Sequence, residues 1–275
     1  MSKRRNSHAA GHIDVGSSKL YYETMGKGYP LVLLHDGLVH RQVWDEQFSF
    51  FAGQYTVIRY DRRGYGRSER PWEDYSNVED LQTLLRFLDV ERTCLMGVSS
   101  GGMIAIDFTL AHPDMVEALV LVGTAVSGFQ VSEHMRQRGQ AAAKPLIEND
   151  DVEQTIENWV NDPYLVAPAN TTARQRLREF LTSNPHNLYD PHWHTVEEPG
   201  GPAIGRLSEL HVPTLLIIGE ADIADNHAVS GALQVGIRDS KRVVLPNAGH
   251  LANLEQAQVF NQLVSEFLES VLQVD

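Results

Sequence analysis

Short apolar runs recur along the chain, and helix-like patterns separate them. The runs lack strict alternation between apolar and polar side chains, as expected of strands that are buried on both faces. Parallel strands joined by crossover helices produce this arrangement. The pattern predicts strands at residues 31–34, 55–60, 93–97, 118–122, 214–218 and 242–245.

The sequence also predicts a hairpin at the edge of this sheet and two helices that pack on it. Residues 13–15 and 19–23 flank the turn sequence Gly-Ser-Ser at 16–18, which predicts a hairpin and an antiparallel edge. Ser76 and Glu79 form a capping box ahead of an apolar stripe, so a helix should begin there. Residues 260–272 carry apolar side chains at the three-and-four spacing of a helix that packs on a sheet.

One interval between predicted strands is much longer than a simple crossover requires. About 90 residues separate the strand that ends near Val122 from the strand that begins near Thr214. Helical patterns occupy residues 132–143, 152–160 and 173–182 of this interval. We therefore predict an α/β fold with a mostly parallel, eight-stranded sheet. Residues 1–124 and 207–275 should form the core, and residues 125–206 a helical cap inserted in it.

Composition and charge narrow the possible partners. The chain has 275 residues and is 42% hydrophobic, enough to bury a large core. Its 23 basic and 36 acidic side chains give a net charge of −13, which repels nucleic acids and acidic membranes. No apolar stretch approaches the roughly 20 residues of a membrane span. The single cysteine, Cys94, lies in an apolar run, which fits a core residue in a reducing compartment. We expect a cytoplasmic protein without nucleic-acid or membrane partners.

One tight turn is a candidate for a nucleophile. Residues 97–102 read Gly-Val-Ser-Ser-Gly-Gly, follow a predicted strand and precede a helical run. A bend this tight strains the backbone of Ser99 and exposes its hydroxyl at the carboxyl end of the strand. The competing interpretation is an ordinary glycine-rich turn or a phosphate-binding loop. The lysine of such a loop is absent and the chain is acidic, so we favour the nucleophile.

A serine nucleophile needs a base, and the base needs a carboxylate that orients it. His250 follows the last predicted strand and precedes the C-terminal helix, so it can reach the same rim of the sheet. Asp222 follows the strand at 214–218, with Glu220 and Asp225 as nearby rivals. The chain order serine, aspartate, histidine differs from the orders found in chymotrypsin and subtilisin.

Together with four further segments, these residues give the sequence a family resemblance. The segments are residues 33–37 (Leu-Leu-His-Asp-Gly), 61–68 (Asp-Arg-Arg-Gly-Tyr-Gly-Arg-Ser), 212–215 (Val-Pro-Thr-Leu) and 249–255 (Gly-His-Leu-Ala-Asn-Leu-Glu). Over about residues 12–273 the chain resembles the α/β-hydrolase superfamily, in its cap-bearing branch of serine esterases, lactonases and carbon–carbon bond hydrolases. Ser99 stands where dehalogenases and epoxide hydrolases carry an aspartate, which argues against both activities.

The resemblance implies an oxyanion hole built from the backbone N–H groups of Gly37 and Ser100. The usual His-Gly pair of the family reads His35-Asp36 here. A carboxylate would oppose a developing oxyanion, so we expect Asp36 to turn outward or to contact a donor on the substrate. Ser100 stands where many relatives carry methionine or glutamine, and its small side chain should leave room beside the nucleophile.

The function that these residues imply is hydrolysis of an ester or lactone of a small, partly apolar substrate. It proceeds through an acyl-serine and requires no metal or organic cofactor. The alternatives are cleavage of a carbon–carbon bond in a 1,3-diketone or ring-fission product, and ligand reception on a hydrolase scaffold. Aromatic residues of the predicted cap, Trp159, Tyr164 and Trp193, should line the substrate pocket.

Two other groups of residues have weaker functional interpretations. Arg62, Arg63 and Arg67 could bind an anion, but arginines that pair locally or face solvent are the more common arrangement. Three histidines of the predicted cap, at positions 186, 192 and 194, lack the spacing of a metal site.

Overall fold

The chain folds around one eight-stranded sheet. A computed structural model describes residues 8–189, 195–196 and 200–272. The strands are β1 (His8–Val15), β2 (Ser18–Gly26), β3 (Pro30–Leu34), β4 (Thr56–Tyr60), β5 (Thr93–Val98), β6 (Val116–Val122), β7 (Thr214–Gly219) and β8 (Ser240–Leu245). The α-helices are α1 (Asp45–Phe51), α2 (Asn77–Phe87), α3 (Ser100–Ala111), α4 (Glu133–Asn149), α5 (Val152–Val160), α6 (Thr171–Ser183), α7 (Ala224–Gly236), α8 (Ala252–Glu255) and α9 (Ala257–Leu272).

The order of strands confirms the predicted fold class. Neighbours in the sheet run β1-β2-β4-β3-β5-β6-β7-β8. The N-terminal hairpin pairs antiparallel with itself and with β4, and all other pairs are parallel. The carboxyl ends of the parallel strands therefore lie on one rim, where open α/β sheets bind their ligands.

Helices cover both faces of the sheet because successive strand residues point to opposite sides. Leu31 and Leu33 pack in the cluster that holds the buried residues of α1 and α9. Val32 and Leu34 pack in the cluster that holds those of α2, α3 and α7. Ser76 caps α2 at the predicted position, since its Oγ accepts the N–H groups of Val78 and Glu79, each at 3.1 Å.

The long interval between β6 and β7 contains α4, α5 and α6. Buried residues of α5 and α6, such as Ile156 and Leu177, belong to the same core cluster as α1 and α9. The sequence placed the end of α4 at residue 143, ahead of a proline, and this boundary is wrong. The helix continues past Pro145 to Asn149, and the next residue, Asp150, terminates it in the left-handed conformation, with its N–H bonded to Leu146 O at 2.9 Å.

A buried ionic network lies beneath the loops that follow β3 and β4. Arg59 Nη2 and Glu23 Oε2 are 2.6 Å apart, and Arg41 pairs with both Glu23 and Asp61. Asp61 also accepts the backbone N–H groups of Arg41 and Arg67 at 3.0 and 2.9 Å. Burial opposes ionisation of Glu23, but the charges of Arg59 and Arg41 outweigh it and lower the pKa of this carboxyl group. The network thus ties both loops to β2.

We expect Glu23→Gln to lower the free energy of unfolding by about 3 kcal/mol at pH 7, because it leaves two buried guanidinium groups without this partner. The lowered pKa stabilises the wild type above the usual glutamate pKa, and this contribution is lost as the pH falls through the folded-state pKa. Urea denaturation of both proteins between pH 3 and 7 measures this difference.

The matched control is Asp14→Asn, which removes an exposed pair with Lys19. This change should cost about 1 kcal/mol or less. Equal losses in the two variants would contradict a stabilising role for the buried network.

Candidate active site

Ser99 lies at a sharp bend between β5 and α3. Its backbone has φ 54° and ψ −120°, a conformation that residues with a side chain rarely adopt. The Ser99 N–H donates to Val122 O at 2.9 Å, and the Ser99 carbonyl accepts the N–H of Gly102 at 3.0 Å. These bonds hold the strained residue at the rim, as the sequence predicted for this turn.

Glycines on both sides of Ser99 make the bend possible. A Cβ on Gly97 would lie 2.5 Å from the backbone of Gly101. A Cβ on Gly101 would lie 2.3 Å from the carbonyl oxygen of Leu34 on β3. Helix α3 can therefore begin against β3 and β5 only when these positions lack side chains.

His250 and Asp222 meet at the carboxyl ends of β8 and β7. His250 Nδ1 lies 2.9 Å from Asp222 Oδ2, and the two side chains are 12% and 1% exposed. Asp222 Oδ1 accepts the Ile223 N–H at 2.7 Å and the Asn226 side-chain amide at 2.8 Å. Burial disfavours the imidazolium, but the carboxylates of Asp222 and then Asp36 outweigh it, so the pKa of His250 is raised.

The two rival carboxylates lie elsewhere. Glu220 is exposed, and its Oε2 accepts the backbone N–H of Asn247 at 3.2 Å. Asp225 accepts the N–H and the hydroxyl of Ser132 at 2.5 and 2.7 Å, which fixes the start of α4. Asp222 is therefore the carboxylate that contacts His250, and Asn226 is a neighbour that the sequence did not single out.

Gly123 connects the serine turn to the histidine. It follows β6, where Val122 accepts the Ser99 N–H, and it has φ +47°. A Cβ at this position would lie 2.8 Å from His250 Nδ1 and 3.0 Å from Asp222 Oδ2. The backbone beside Ser99 is thus in contact with the His250–Asp222 pair. The Ser99 hydroxyl itself makes no hydrogen bond with another described residue.

Backbone and carboxylate contacts fix the loop that carries His250. The His250 N–H donates to the carbonyl of Tyr164 at 2.8 Å. Glu255 accepts the N–H of Gly249 at 2.6 Å through Oε1 and that of Ala167 at 2.9 Å through Oε2. Burial raises the pKa of Glu255 despite these donors. Residues 164–167 of the helical interval are therefore bonded directly to the histidine loop, which sequence reasoning did not find.

The loop after β3 holds Asp36 in the interior. Asp36 is 3% exposed, and its Oδ1 accepts the N–H groups of Leu38 and Val39 at 2.5 and 2.9 Å. The expectation that Asp36 turns outward is wrong, because this turn supplies its carboxylate with buried donors. The second oxygen, Oδ2, has no hydrogen-bond partner among the described residues. A contact with a substrate donor stays a prediction.

His35 and Arg62 connect the loop after β3, which carries Gly37, with the loop after β4, and Arg62 also contacts Ser100. His35 Nδ1 lies 2.7 Å from Asp36 O, and its Nε2 accepts the Arg62 backbone N–H at 2.9 Å. Burial, with the Arg62 charge beside it, holds the pKa of His35 well below its usual range. Arg62 Nη2 donates to Asp36 O at 2.5 Å and to Ser100 Oγ at 3.1 Å.

Besides Asp36, three aromatic residues are predicted to line the pocket, and two of them can be placed. Trp159 is partly buried against the core, with the guanidinium of Arg138 5.4 Å from its ring centre. The ring of Tyr164 packs edge-on against His134 at 5.8 Å. Trp193 lies outside the described residues. The lining role of all three stays a prediction.

Neither a metal cluster nor a membrane helix is found in the described part of the chain. No group of three or more histidine, cysteine or acidic side chains there could hold a metal ion. His186 Nε2 lies 3.0 Å from Gly66 O, and the histidines at 192 and 194 are outside the described residues. No described helix is both long and apolar enough to span a bilayer. Cys94 is buried on β5, as expected of a core residue.

We expect Gly123→Ala to separate His250 from Asp222, because the new methyl group takes up the space of the ring. The pKa of His250 should fall when the carboxylate moves away, and the positive φ should add about 1–2 kcal/mol of destabilisation. NMR titration of the His250 ring measures the pKa. Gly139→Ala is the control, since nothing lies within 4 Å of its added Cβ. An unchanged His250 pKa in Gly123→Ala would refute this role.

Known proteins share both the sequence pattern and the fold. The pattern described as "Alpha/beta hydrolase family" matches residues 31–263. The "AB hydrolase superfamily protein YisY" of Bacillus subtilis (strain 168) is 26% identical over 91% of this chain and 96% of its own. The "2-hydroxy-6-oxononadienedioate/2-hydroxy-6-oxononatrienedioate hydrolase" of Escherichia coli (strain K12) is 30% identical over 91% of each chain. The solved structure "Est816 as an N-Acyl homoserine lactone degrading enzyme" is 27% identical, with a TM-score of 0.76 over 94% of this chain and 100% of that one. With the family pattern extending from β3 into α9, the chain belongs to the alpha/beta hydrolase family.

Proposed function

We propose that this hydrolase cleaves a carboxylic ester or lactone of a small, partly apolar substrate through an acyl-serine intermediate. The observation that carries the proposal is the buried His250–Asp222 hydrogen bond, which Gly123 joins to the strained turn at Ser99. A neutral imidazole oriented by a carboxylate is the base that a serine hydroxyl requires. The similarity to the N-acyl homoserine lactone degrading enzyme supports this class of substrate.

The reaction has two halves, acylation of Ser99 and hydrolysis of the acyl-serine, and the same site residues act in both. His250 Nε2 takes the proton of Ser99 as its oxygen attacks the carbonyl carbon, and Asp222 stabilises the imidazolium. The N–H groups of Ser100 and Gly37 donate to the oxyanion, aided by the positive end of α3. The leaving alcohol takes the proton from His250. Water then attacks the acyl carbon and gives a proton to His250; the bond from this carbon to Ser99 Oγ breaks, His250 returns the proton to Ser99, and the acid departs.

The Ser99–His250 contact forms in this scheme when substrate binds. Catalytic hydrogen bonds in free enzymes are often long and shorten in the substrate complex. The interval 125–206 acts as the cap over a core of residues 1–124 and 207–275. The Tyr164 carbonyl of this interval accepts the His250 N–H, which supports a cap that closes the site with Trp159, Tyr164 and Trp193. A cytoplasmic location, compatible with one buried thiol, belongs to the same proposal.

Carbon–carbon bond hydrolysis is the second candidate. The Escherichia coli relative is named as a hydrolase of 6-oxo dienedioates, compounds whose names contain a ketone and no ester. The same three side chains would serve this reaction, since the bond that breaks is again next to a carbonyl. Comparison of kcat/KM for simple esters, lactones and 1,3-diketones separates the two candidates.

We expect Ser99→Ala and His250→Ala each to lower kcat for hydrolysis of p-nitrophenyl butyrate by at least about 10⁴-fold. The first variant lacks the attacking oxygen and the second lacks the base. Exposed Ser49→Ala and exposed His211→Ala are the controls and should retain wild-type rates. Turnover that persists in both site variants would overturn the proposed mechanism.

The rate of ester hydrolysis should fall on acidification with an inflection above pH 6.5, because His250 acts as a base only when neutral and its pKa is raised. Asp36→Asn should move the inflection of kcat/KM to lower pH, since it removes one carboxylate that stabilises the imidazolium. Asp114→Asn, at an exposed position just before the amino end of β6, should leave the profile unchanged. A profile that does not respond to Asp36→Asn would show that this carboxylate does not act on the base.

A further inference from the structure

Four arginines with buried side chains differ in their counter-ions. Three pair with carboxylates at 2.6 or 2.7 Å: Arg41 with Asp61, Arg59 with Glu23, and Arg63 with Asp80. Arg62 is the most buried of the four, at 2% exposed. Throughout the described part of the chain, no carboxylate lies within ion-pair distance of it.

The guanidinium of Arg62 also has unused donors. Nη2 donates to the Asp36 carbonyl and to Ser100 Oγ, both neutral acceptors, and the group stacks 4.8 Å from the centre of the Tyr65 ring. Nε and Nη1 donate to no described residue, and Nε is fully enclosed. Since arginine does not deprotonate in proteins, the buried charge lacks an anion that a ligand can supply.

A cavity of about 670 Å³ borders Arg62 and Ser100. Its wall combines polar groups, such as Asn77 and Gln130, with apolar ones, such as Met103. Among the described residues of the wall, one is acidic: Asp107, which accepts the Ser127 hydroxyl at 3.0 Å. Cavities of this size hold small organic ligands.

The position of Ser100 connects this cavity with the reaction. Its N–H is the proposed oxyanion donor, while its hydroxyl is bonded to Arg62. A substrate whose carbonyl oxygen accepts the Ser100 N–H therefore lies beside the cavity, and the inference places its acyl chain there. A carboxylate on that chain would find the unused Nη1 donor and a positive charge.

We infer that Arg62 binds a carboxylate on the acyl part of the substrate, so that the preferred substrates are half-esters of dicarboxylic acids or carboxylated lactones. This inference rests on the proposed function. It makes Arg62 a specificity-determining residue, in contrast to Arg63, whose two bonds to Asp80 at 2.7 Å are structural.

The kinetic test compares an anionic with a neutral ester, 4-nitrophenyl hemiglutarate and 4-nitrophenyl butyrate. The wild type should prefer the hemiglutarate. Arg62→Gln should lower the ratio of kcat/KM values, hemiglutarate over butyrate, by about 10- to 100-fold, the effect of losing a hydrogen bond to a charged group. Arg67→Gln removes an exposed charge from the same loop and should not change the ratio. An unchanged ratio in Arg62→Gln overturns the inference.

A binding test separates this inference from the proposed mechanism. Glutarate should raise the melting temperature of the Ser99→Ala variant, and glutaramide or sodium chloride at equal ionic strength should not. The glutarate effect should vanish in Ser99→Ala/Arg62→Gln. Equal effects of glutarate and chloride, or persistence in the double variant, overturn the inference. Turnover retained by Ser99→Ala would instead refute the proposed mechanism, while the glutarate shift would still report on Arg62.

A second substitution, Arg62→Lys, tests the inference if Arg62→Gln does not fold. Arg62→Lys keeps the charge but loses the planar set of donors, so it should keep part of the preference for hemiglutarate and of the glutarate shift. If Arg62→Gln fails to fold, a ratio in Arg62→Lys equal to that of the wild type overturns the inference, and a reduced ratio supports it.

Discussion

The candidate site depends on how closely backbone segments approach one another where β5 and β6 end. The Ser99 N–H bonds to Val122, and the next residue, Gly123, leaves just enough space for the ring of His250. On the other side, Gly101 lies against the carbonyl of Leu34. Segments far apart in sequence can meet there because glycine stands at each close contact.

Buried ion pairs hold the loops around this contact in place. The pairs of Arg41, Arg59 and Arg63 with carboxylates connect β2, the loops after β3 and β4, and α2. A buried ion pair contributes mainly by the cost of breaking it, so these loops have few alternative positions. Arg62 donates to Ser100 Oγ instead of a carboxylate, so the arginine proposed to bind the substrate is adjacent in the chain to Arg63, which pairs with Asp80.

Local patterns made much of the fold predictable. The hairpin at β1 and β2, the cap at Ser76 and the parallel strands follow from turn residues, a side-chain oxygen and apolar runs, each a property of a few neighbouring residues. The end of α4 was missed because the helix continues past Pro145 to the left-handed turn at Asp150, against the helix-ending tendency of proline. The direction of Asp36 was missed because its carboxylate depends on the path of the following loop.

The amino-acid sequence by itself determined the eight strands along the chain, the turn at Ser99 and the chemical types of residue at the sheet rim. Only the tertiary structure decided that Asp222, and neither Glu220 nor Asp225, contacts His250, and that Gly123 must lack a side chain. It also revealed that Glu255 joins the histidine loop to Ala167. The reason is physical: periodicity and capping act within a few residues, whereas these contacts depend on the relative positions of distant loops.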